Sequence, residues 1–287
     1  MVTYNPKDWF TLIFQFHKSD TFRKLLPVMF ATGLFSALVV FIEVYVFHWS
    51  FNNSSVIHSI LGFVLSMLLV FRTNSAYDRW WEGRKLWGEI VNNSRNLAFK
   101  IKSFVKDEDS RNEFIKLIYS YNFILKDHLR NKTEISDQIE ISDEIKKELA
   151  IAKHKPNAAA SRFYAKLNTF AVNKQISETH LLLLNDEVKS FTNVCGACER
   201  IRNTPIPYSY NLFLKKIIFL YVITIPFMFG PDFKYATIII AMIVLYVFAS
   251  IELIAEEIED PFGEDDNDLP LDDICINVKS NLTELIK

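Results

Sequence analysis

The chain has 287 residues, of which 50% are hydrophobic and 14% aromatic, with 25 Phe and only 7 Gly. This composition is too apolar for a disordered chain, and 23% of charged residues is too many for a protein lying wholly inside lipid. The net charge of -2 lacks the basic excess of nucleic-acid binding proteins, and there is no Gly-rich phosphate loop. We therefore expect a chain divided between bilayer and water, with no nucleic-acid partner.

Two long apolar stretches come first along the chain. One runs from Leu25 to Phe47 and is interrupted only by Glu43, and the next runs from Ser54 to Phe71. Each is long enough to span or nearly span a bilayer as a helix. The residues that precede them do not show the zones of a cleavable signal, so the first span is expected to stay in the protein.

The second span carries a stripe of residues at successive i+4 steps, which places them on one face of a helix. They are Ser55, Ser59, Phe63, Met67 and Phe71. Such a face, polar at one end and bulky at the other, suits a pore with a hydrophobic constriction, which can gate by dewetting. The same residue types also suit packing against other helices or lipid, and the residues alone leave both readings open.

Basic residues set the expected orientation. Lys and Arg precede the first span and follow the second, whereas the loop at 48–53 contains none, so that both termini are expected in the cytoplasm. Residues 72–90 mix three Trp with paired charges and indicate an anchoring and packing segment. The long segment that follows shows helical periodicity, for example at 112–129, and almost no strand alternation.

A second pair of apolar stretches comes near the end, at Ile217 to Phe229 and at Tyr235 to Ile251. Gly230-Pro231 between them is a turn signal and predicts a hairpin. The uncharged residues 208–214 extend the third span if Lys215 and Lys216 snorkel. We expect an all-α membrane protein with four transmembrane helices, organised as a first hairpin, a cytoplasmic helical region, a second hairpin and an acidic cytoplasmic end: 1–71, 72–214, 215–251 and 252–287.

The segment 251–273 contains eleven Asp and Glu and no Lys or Arg. Oxygen ligands at this density, next to Pro and Gly turns, suit a hard cation such as calcium, although the spacing is not that of an EF-hand. A solvated acidic face is the more usual explanation of such a run. The three Cys are too few for a disulfide framework, which favours a reducing compartment, and the single CxxC at 195–198 lacks the second pair of a zinc site.

No enzyme is indicated by these residues. A membrane-anchored, metal-dependent enzyme would need a base and substrate-fixing groups near the carboxylates, and the sequence offers no His or Lys constellation there. Ion conduction and a non-conducting membrane scaffold are the remaining classes, and they share the same topology.

Three unusual segments, in this order, resemble the bestrophin family of ion channels, in particular its bacterial and plant branch. They are FRTNSAYDRWWEGRKLWG at 71–88, NTPIPYSYNLFLKKIIFLYVITIPF at 203–227 and EDPFGEDDNDLPLDDIC at 259–275. The resemblance implies a homopentamer in the cell membrane, with four spans and a large helical cytoplasmic part per subunit, around one axial pore. It also implies passive conduction of small monovalent ions, most commonly chloride. Because some bacterial members are selective for sodium, a cation channel of the same architecture is the alternative.

The resemblance also implies roles for single residues. Phe63, Met67 and Phe71 match the apolar neck of the family, and Ile176 matches its cytoplasmic aperture. Ser55 and Ser59 would then lie at the outer mouth, where polar groups replace part of an ion's hydration.

In calcium-activated animal members the acidic segment forms a calcium clasp. The matching positions here are Glu264, Asp265, Asp266 and Asp268. This sequence departs from the animal pattern at Asn267 and in the N-terminal portion that completes the clasp. No cofactor is therefore required, and calcium stays one reading of the acids, beside a role at a subunit interface or in a vestibule.

Overall fold

A computed structural model describes residues 20–47, 55–134 and 136–286, and every regular element within these ranges is a helix. The all-α expectation is thereby confirmed. In chain order the elements are α1 (Asp20–Phe41), a π-helix (Ile42–Phe47), α2 (Ser55–Phe104), α3 (Glu108–Leu129), α4 (Asp143–Ile151), α5 (Lys155–Val172), α6 (Glu178–Asn203), α7 (Tyr208–Phe233), α8 (Ala236–Glu259) and α9 (Leu271–Thr283).

Four of these helical stretches are long and apolar enough to cross a membrane. They are Thr21–Val46, Val56–Phe104, Tyr208–Phe233 and Ala236–Glu259. The four predicted spans lie within them, except for their outermost residues. The helix of the third span begins at Tyr208, so residues 208–214 continue the same helix, and their place in the span stays a prediction.

The predicted hairpin is present, but its turn comes later than Gly230-Pro231, because α7 continues through both residues to Phe233 before α8 packs against it. The chain turns at Lys234 instead, which has a φ of 48° and donates its backbone N–H to the Gly230 carbonyl. A Cβ on Gly230 would lie 2.5 Å from Oε2 of Glu43. The glycine therefore permits a close approach between two helices and does not mark a bend.

Contacts divide the chain into two compact units. Of the described residues, the span unit comprises 20–47, 55–79 and 205–259, and the core unit comprises 80–134, 136–204 and 260–286. The division falls inside α2, between Arg79 and Trp80. The predicted segments on the two sides of a membrane stay a prediction, because compactness alone does not locate a bilayer.

The core unit is organised around α3, which is buried along most of its length. Aromatic rings fill its centre: the ring of Phe163 lies 5.7 Å from that of Tyr121 and 5.1 Å from that of Phe191. The Tyr121 hydroxyl donates to the Phe191 carbonyl, so the ring is buried with its polar end satisfied. This unit has the dense apolar interior of an ordinary water-soluble domain.

The span unit has a much smaller buried core. One apolar cluster within it consists of Leu65, Leu69, Ile218, Val222 and Leu245. Large apolar side chains point outwards instead, including Phe30 at 72% exposure and Leu34 at 68%. A surface this apolar requires lipid or further protein to cover it.

The three cysteines are free and buried. Burial raises the pKa of the Cys195 thiol to about 12, and it raises the pKa values of Cys198 and Cys275 further. Reactive cysteines have lowered pKa values, so these thiols are inert core residues.

Candidate functional site

The predicted neck residues form an exposed apolar stripe on α2. Phe63 is 70% exposed, Met67 50% and Phe71 53%. Ser59 lies one turn before Phe63 on the same face and is also exposed. Ser55 begins the helix, but its side chain lies outside the described ones. The stripe is therefore open within one subunit, and its lining of a pore stays a prediction.

The opposite face of α2 explains why the stripe points outwards. Leu65 and Leu69 lie on that face and are fully buried against apolar residues of α7 and α8. Gly62 brings α2 close to α7, since a Cβ there would lie 2.6 Å from the Tyr221 hydroxyl. Burial of one face thus sets the rotation of the helix and leaves the stripe to other partners.

A buried arginine follows the stripe directly. Arg72 is fully buried, and its Nη2 donates to Oε2 of Glu259 at 2.6 Å. Its Nε lies 3.6 Å from Oε2 of Glu252, which is an ion pair without a hydrogen bond. Oε1 of Glu259 accepts from the backbone N–H of Ile206 at 2.6 Å. One guanidinium therefore lies against two buried carboxylates next to the end of the stripe.

A second arginine ties α2 to the same place. Nε of Arg79 donates to the backbone carbonyl of Glu259 at 3.0 Å. Sequence reasoning assigned residues 72–90 to anchoring and packing and missed these partners. Contacts between residues about 180 positions apart leave no local signal in the sequence. A buried arginine requires an acidic partner, but the sequence does not say which acid it is.

The predicted aperture residue is covered within its own chain. Ile176 lies between α5 and α6, is 5% exposed and belongs to the core of the core unit. Ser177 beside it caps α6, its hydroxyl accepting from the backbone N–H of His180. In the first turns of α6 the exposed apolar side chains are Leu182 and Leu183. A role for Ile176 in an aperture stays a prediction.

The acidic turn, residues 261–273, is held from both ends. Phe262, Leu269 and Leu271 are buried in the core of the core unit. Nε1 of Trp80 donates to the carbonyl of Asn267 at 2.9 Å. Buried apolar residues at the ends of the turn place its acidic middle at the surface.

The acids of this turn have different environments. Glu264, Asp265 and Asp266 are exposed, whereas Asp268 is 1% exposed and its Oδ2 accepts from the backbone N–H of Asp265 at 2.7 Å. Burial raises the pKa of the Asp268 carboxyl to about 7. Glu264, Asp265 and Asp268 line a pocket of about 290 Å³ together with Arg130, Asp272 and Asp273.

Basic side chains from α3 and the residues just after it pair with two of these acids. Arg130 and Lys126 contact Asp272, each at 2.6–2.7 Å, and Lys132 contacts Glu264 at 2.7 Å. Burial acts to raise the pKa of Asp272, but the hydrogen bonds from Lys126 and Arg130 outweigh it and hold the pKa at about 2. The hydrogen bond from Lys132 lowers the pKa of Glu264. Both carboxylates are therefore charged and paired.

A cluster that sequence reasoning missed joins three helices of the core unit. Oε1 of Glu199 contacts Nε2 of His128 at 2.6 Å and Nε2 of His154 at 2.7 Å, an arrangement of ligand atoms that a metal ion could use. Nδ1 of His154 accepts from the backbone N–H of Asn157, so a neutral ring carries its proton on Nε2. That proton is donated to Glu199, so the three residues form a hydrogen-bonded cluster.

Comparison with known proteins gives one family. The family model described as Bacterial/Fungal Bestrophin protein matches residues 1–284. A voltage-dependent anion channel-forming protein, YneE of Escherichia coli K12, is 32% identical over 99% of this chain and 94% of its own length. The voltage-dependent anion channel-forming protein alr2987 of Nostoc sp. is 34% identical over the same shares of the two chains.

Solved structures share the fold. A bacterial bestrophin homologue from Klebsiella pneumoniae, whose crystal structure was phased on zinc, superimposes with a TM-score of 0.85 at 24% identity and covers 91% of this chain and 98% of its own. A single-residue variant of that homologue gives a TM-score of 0.84 at 24% identity, over the same shares of the two chains.

Proposed function

Because this chain belongs to the bacterial and fungal bestrophin family, we propose that it forms an anion channel in the cell membrane, in which five copies of α2 surround one axial pore. The observation that carries the proposal is the exposed stripe of Phe63, Met67 and Phe71, opposite the buried Leu65 and Leu69 on the same helix. The names of the relatives, voltage-dependent anion channel-forming proteins, support conduction of anions.

The pore has to come from symmetry. The four apolar helices of one chain pack partly around an apolar cluster, and a single chain presents the stripe on one side only. A ring of copies places the same stripe on all sides of one axis, where the side chains form a narrow apolar neck. Such a neck conducts when it is wet and closes when it dewets.

The neck has features that accept an anion. The edges of aromatic rings carry partial positive charge, so that Phe63 and Phe71 can present these edges to chloride. Ser55 and Ser59 at the outer mouth replace part of the hydration of the ion. The core unit and both termini lie in the cytoplasm. The family's second constriction needs an exposed side chain, so Ile176, at 5% exposure, would have to leave the core to form it.

The test is ion flux from liposomes that hold the purified protein, under separate chloride and sodium gradients. Replacing Phe63, Met67 and Phe71 together by Ala widens and wets the neck, so we expect chloride flux several-fold above that of the unchanged protein. The matched control replaces Ile57 and Leu61 by Ala. These are also exposed apolar residues of α2, but they lie on another face of the helix, and their loss should leave flux unchanged.

The outcomes separate the alternatives. Sodium flux without chloride flux would contradict anion conduction and indicate a cation channel of the same architecture. An unchanged rate in the triple variant would remove the stripe from the pore. No flux of either ion, in all three proteins, would favour a non-conducting membrane scaffold.

A further inference from the structure

The acidic turn presents the oxygens that a hard cation binds. The carbonyl oxygens of Phe262 and Gly263 and the carboxylates of Glu264 and Asp272 converge on one position. Backbone carbonyls and carboxylates are the ligands of calcium in proteins. The donor set by itself would therefore fit calcium.

An arginine side chain occupies that position. Nε of Arg130 donates to the carbonyl of Phe262 at 3.2 Å and to that of Gly263 at 3.1 Å. Its Nη1 donates to Oδ2 of Asp272 at 2.6 Å and lies 3.5 Å from Oε1 of Glu264. The side chain of Arg130 is 6% exposed, so the guanidinium lies inside the turn and not beside it.

The surrounding charges are also balanced without a metal ion. Lys132 pairs with Glu264, and Lys126 pairs with Asp272, so three basic side chains face these two carboxylates. Calcium needs six to eight oxygens and would meet oxygens already engaged, next to three positive charges that repel it. Of the remaining acids, Asp265 and Asp266 are exposed, and Asp268 accepts from the backbone of the turn through Oδ2, while its Oδ1 is buried without a hydrogen-bond partner among the described residues.

We propose that the Arg130 guanidinium serves as the built-in cation of the acidic turn, so that this segment folds without calcium and the protein does not respond to it. Arg130 follows the last residue of α3, and the turn leads into α9, so the same contact joins two helices of the core unit. The inference concerns binding and stability and does not depend on which ion the channel conducts.

The experiment uses the full chain, purified in detergent, with calcium or a chelator. Two measurements are made, the thermal unfolding midpoint and calcium binding by calorimetry. For the unchanged protein we expect no calcium binding and the same midpoint at about 1 mM calcium as in chelator. Arg130→Gln empties the position, so its midpoint should fall by about 5 °C in chelator and rise again when calcium is added.

Two controls isolate the cation position, and a third variant tests the charge itself. Arg200→Gln removes an arginine of the same unit that pairs with a single carboxylate, that of Glu82 at 2.6 Å, and it should create no response to calcium. Adding Asp272→Asn to Arg130→Gln removes a calcium ligand and should abolish the response. Arg130→Lys keeps a positive charge and should remain indifferent to calcium.

Three outcomes would contradict the proposal. Calcium binding to the unchanged protein that Asp272→Asn abolishes would overturn the proposal, and this measurement stands even if Arg130→Gln does not fold. A stable Arg130→Gln with an unchanged midpoint would overturn it too. If Arg130→Gln is destabilised and calcium does not restore it, the arginine is a tie between helices and the position is not a cation site.

Discussion

Arg72 forms an ion-pair cluster with two distant glutamates, which the residues next to it in the chain do not predict. Its guanidinium is fully buried between two glutamates, but the two pairs are unequal. Glu259 makes short bonds to Arg72 and to the backbone of Ile206, whereas neither side-chain oxygen of Glu252 has a hydrogen-bond partner among the described residues. The carboxylate of Glu259 is therefore the close partner of Arg72, and that of Glu252 is not needed to pair it.

This asymmetry predicts opposite results for two matched substitutions. Glu259→Gln leaves the buried Arg72 without its close partner, and we expect a loss of about 3 kcal/mol or more in the free energy of unfolding. Glu252→Gln removes the redundant charge and should change stability by less than about 1 kcal/mol. Thermal or denaturant unfolding of the two variants in detergent measures the difference. Equal losses would show that the two acids share the arginine evenly.

Two glycines within helices of the core unit differ in what surrounds them. A Cβ on Gly83 of α2 would lie 3.1 Å from Pro261 and from Phe262, which is fully buried. Gly196 of α6 has nothing within 4 Å of such a Cβ. The first glycine permits the acidic turn to pack on α2, and the second serves no packing role among the described residues.

Alanine at the two positions should therefore act in opposite directions. Gly196→Ala gains helix propensity and should stabilise the protein by about 0.5–1 kcal/mol. Gly83→Ala gains the same propensity but pushes the acidic turn away, and we expect a net loss of about 1–2 kcal/mol from overpacking. Thermal midpoints of the two variants, measured side by side, check the signs. Stabilisation by both would mean that Phe262 relaxes without cost.

A single chain leaves a large apolar surface uncovered. The span unit exposes large apolar side chains and a stripe on α2 that its own core does not use, while the core unit buries its apolar residues as a soluble domain does. The proposed ring of five subunits covers part of the first surface with protein, leaves the rest to lipid and turns the stripe towards water.

Cysteine at the middle of the stripe tests this assembly. In a water-filled neck, Met67→Cys should react with a charged, water-soluble thiol reagent, and the bulky adduct should abolish most of the chloride flux. The unchanged protein is the control, because its three cysteines are buried and should not react. Native mass spectrometry should show five chains per particle. Full flux after complete modification, or reaction only with lipid-soluble reagents, would place Met67 against lipid.

Much of the fold could be predicted from local pattern. Four long apolar stretches and the helical period at 112–129 are properties of neighbouring residues, and the structure places helices over all of them. The error at Gly230-Pro231 has a tertiary origin, since the requirement for glycine comes from Glu43, which is nearly 190 positions away. A Gly-Pro pair favours a turn because of its backbone preferences, but here the glycine is required by the side chain that packs against it.

Local pattern was enough to predict an all-α protein with four apolar spans, because hydrophobic length and period depend on residues close in the chain. Three sequence motifs also indicated the family that the comparisons show. The pairing of distant residues became visible only in the folded chain. The tertiary structure paired Arg72 with Glu259, placed Arg130 inside the acidic turn and covered Ile176 within the core. Charges and apolar groups find these partners through burial across the whole chain, and no local pattern records that choice.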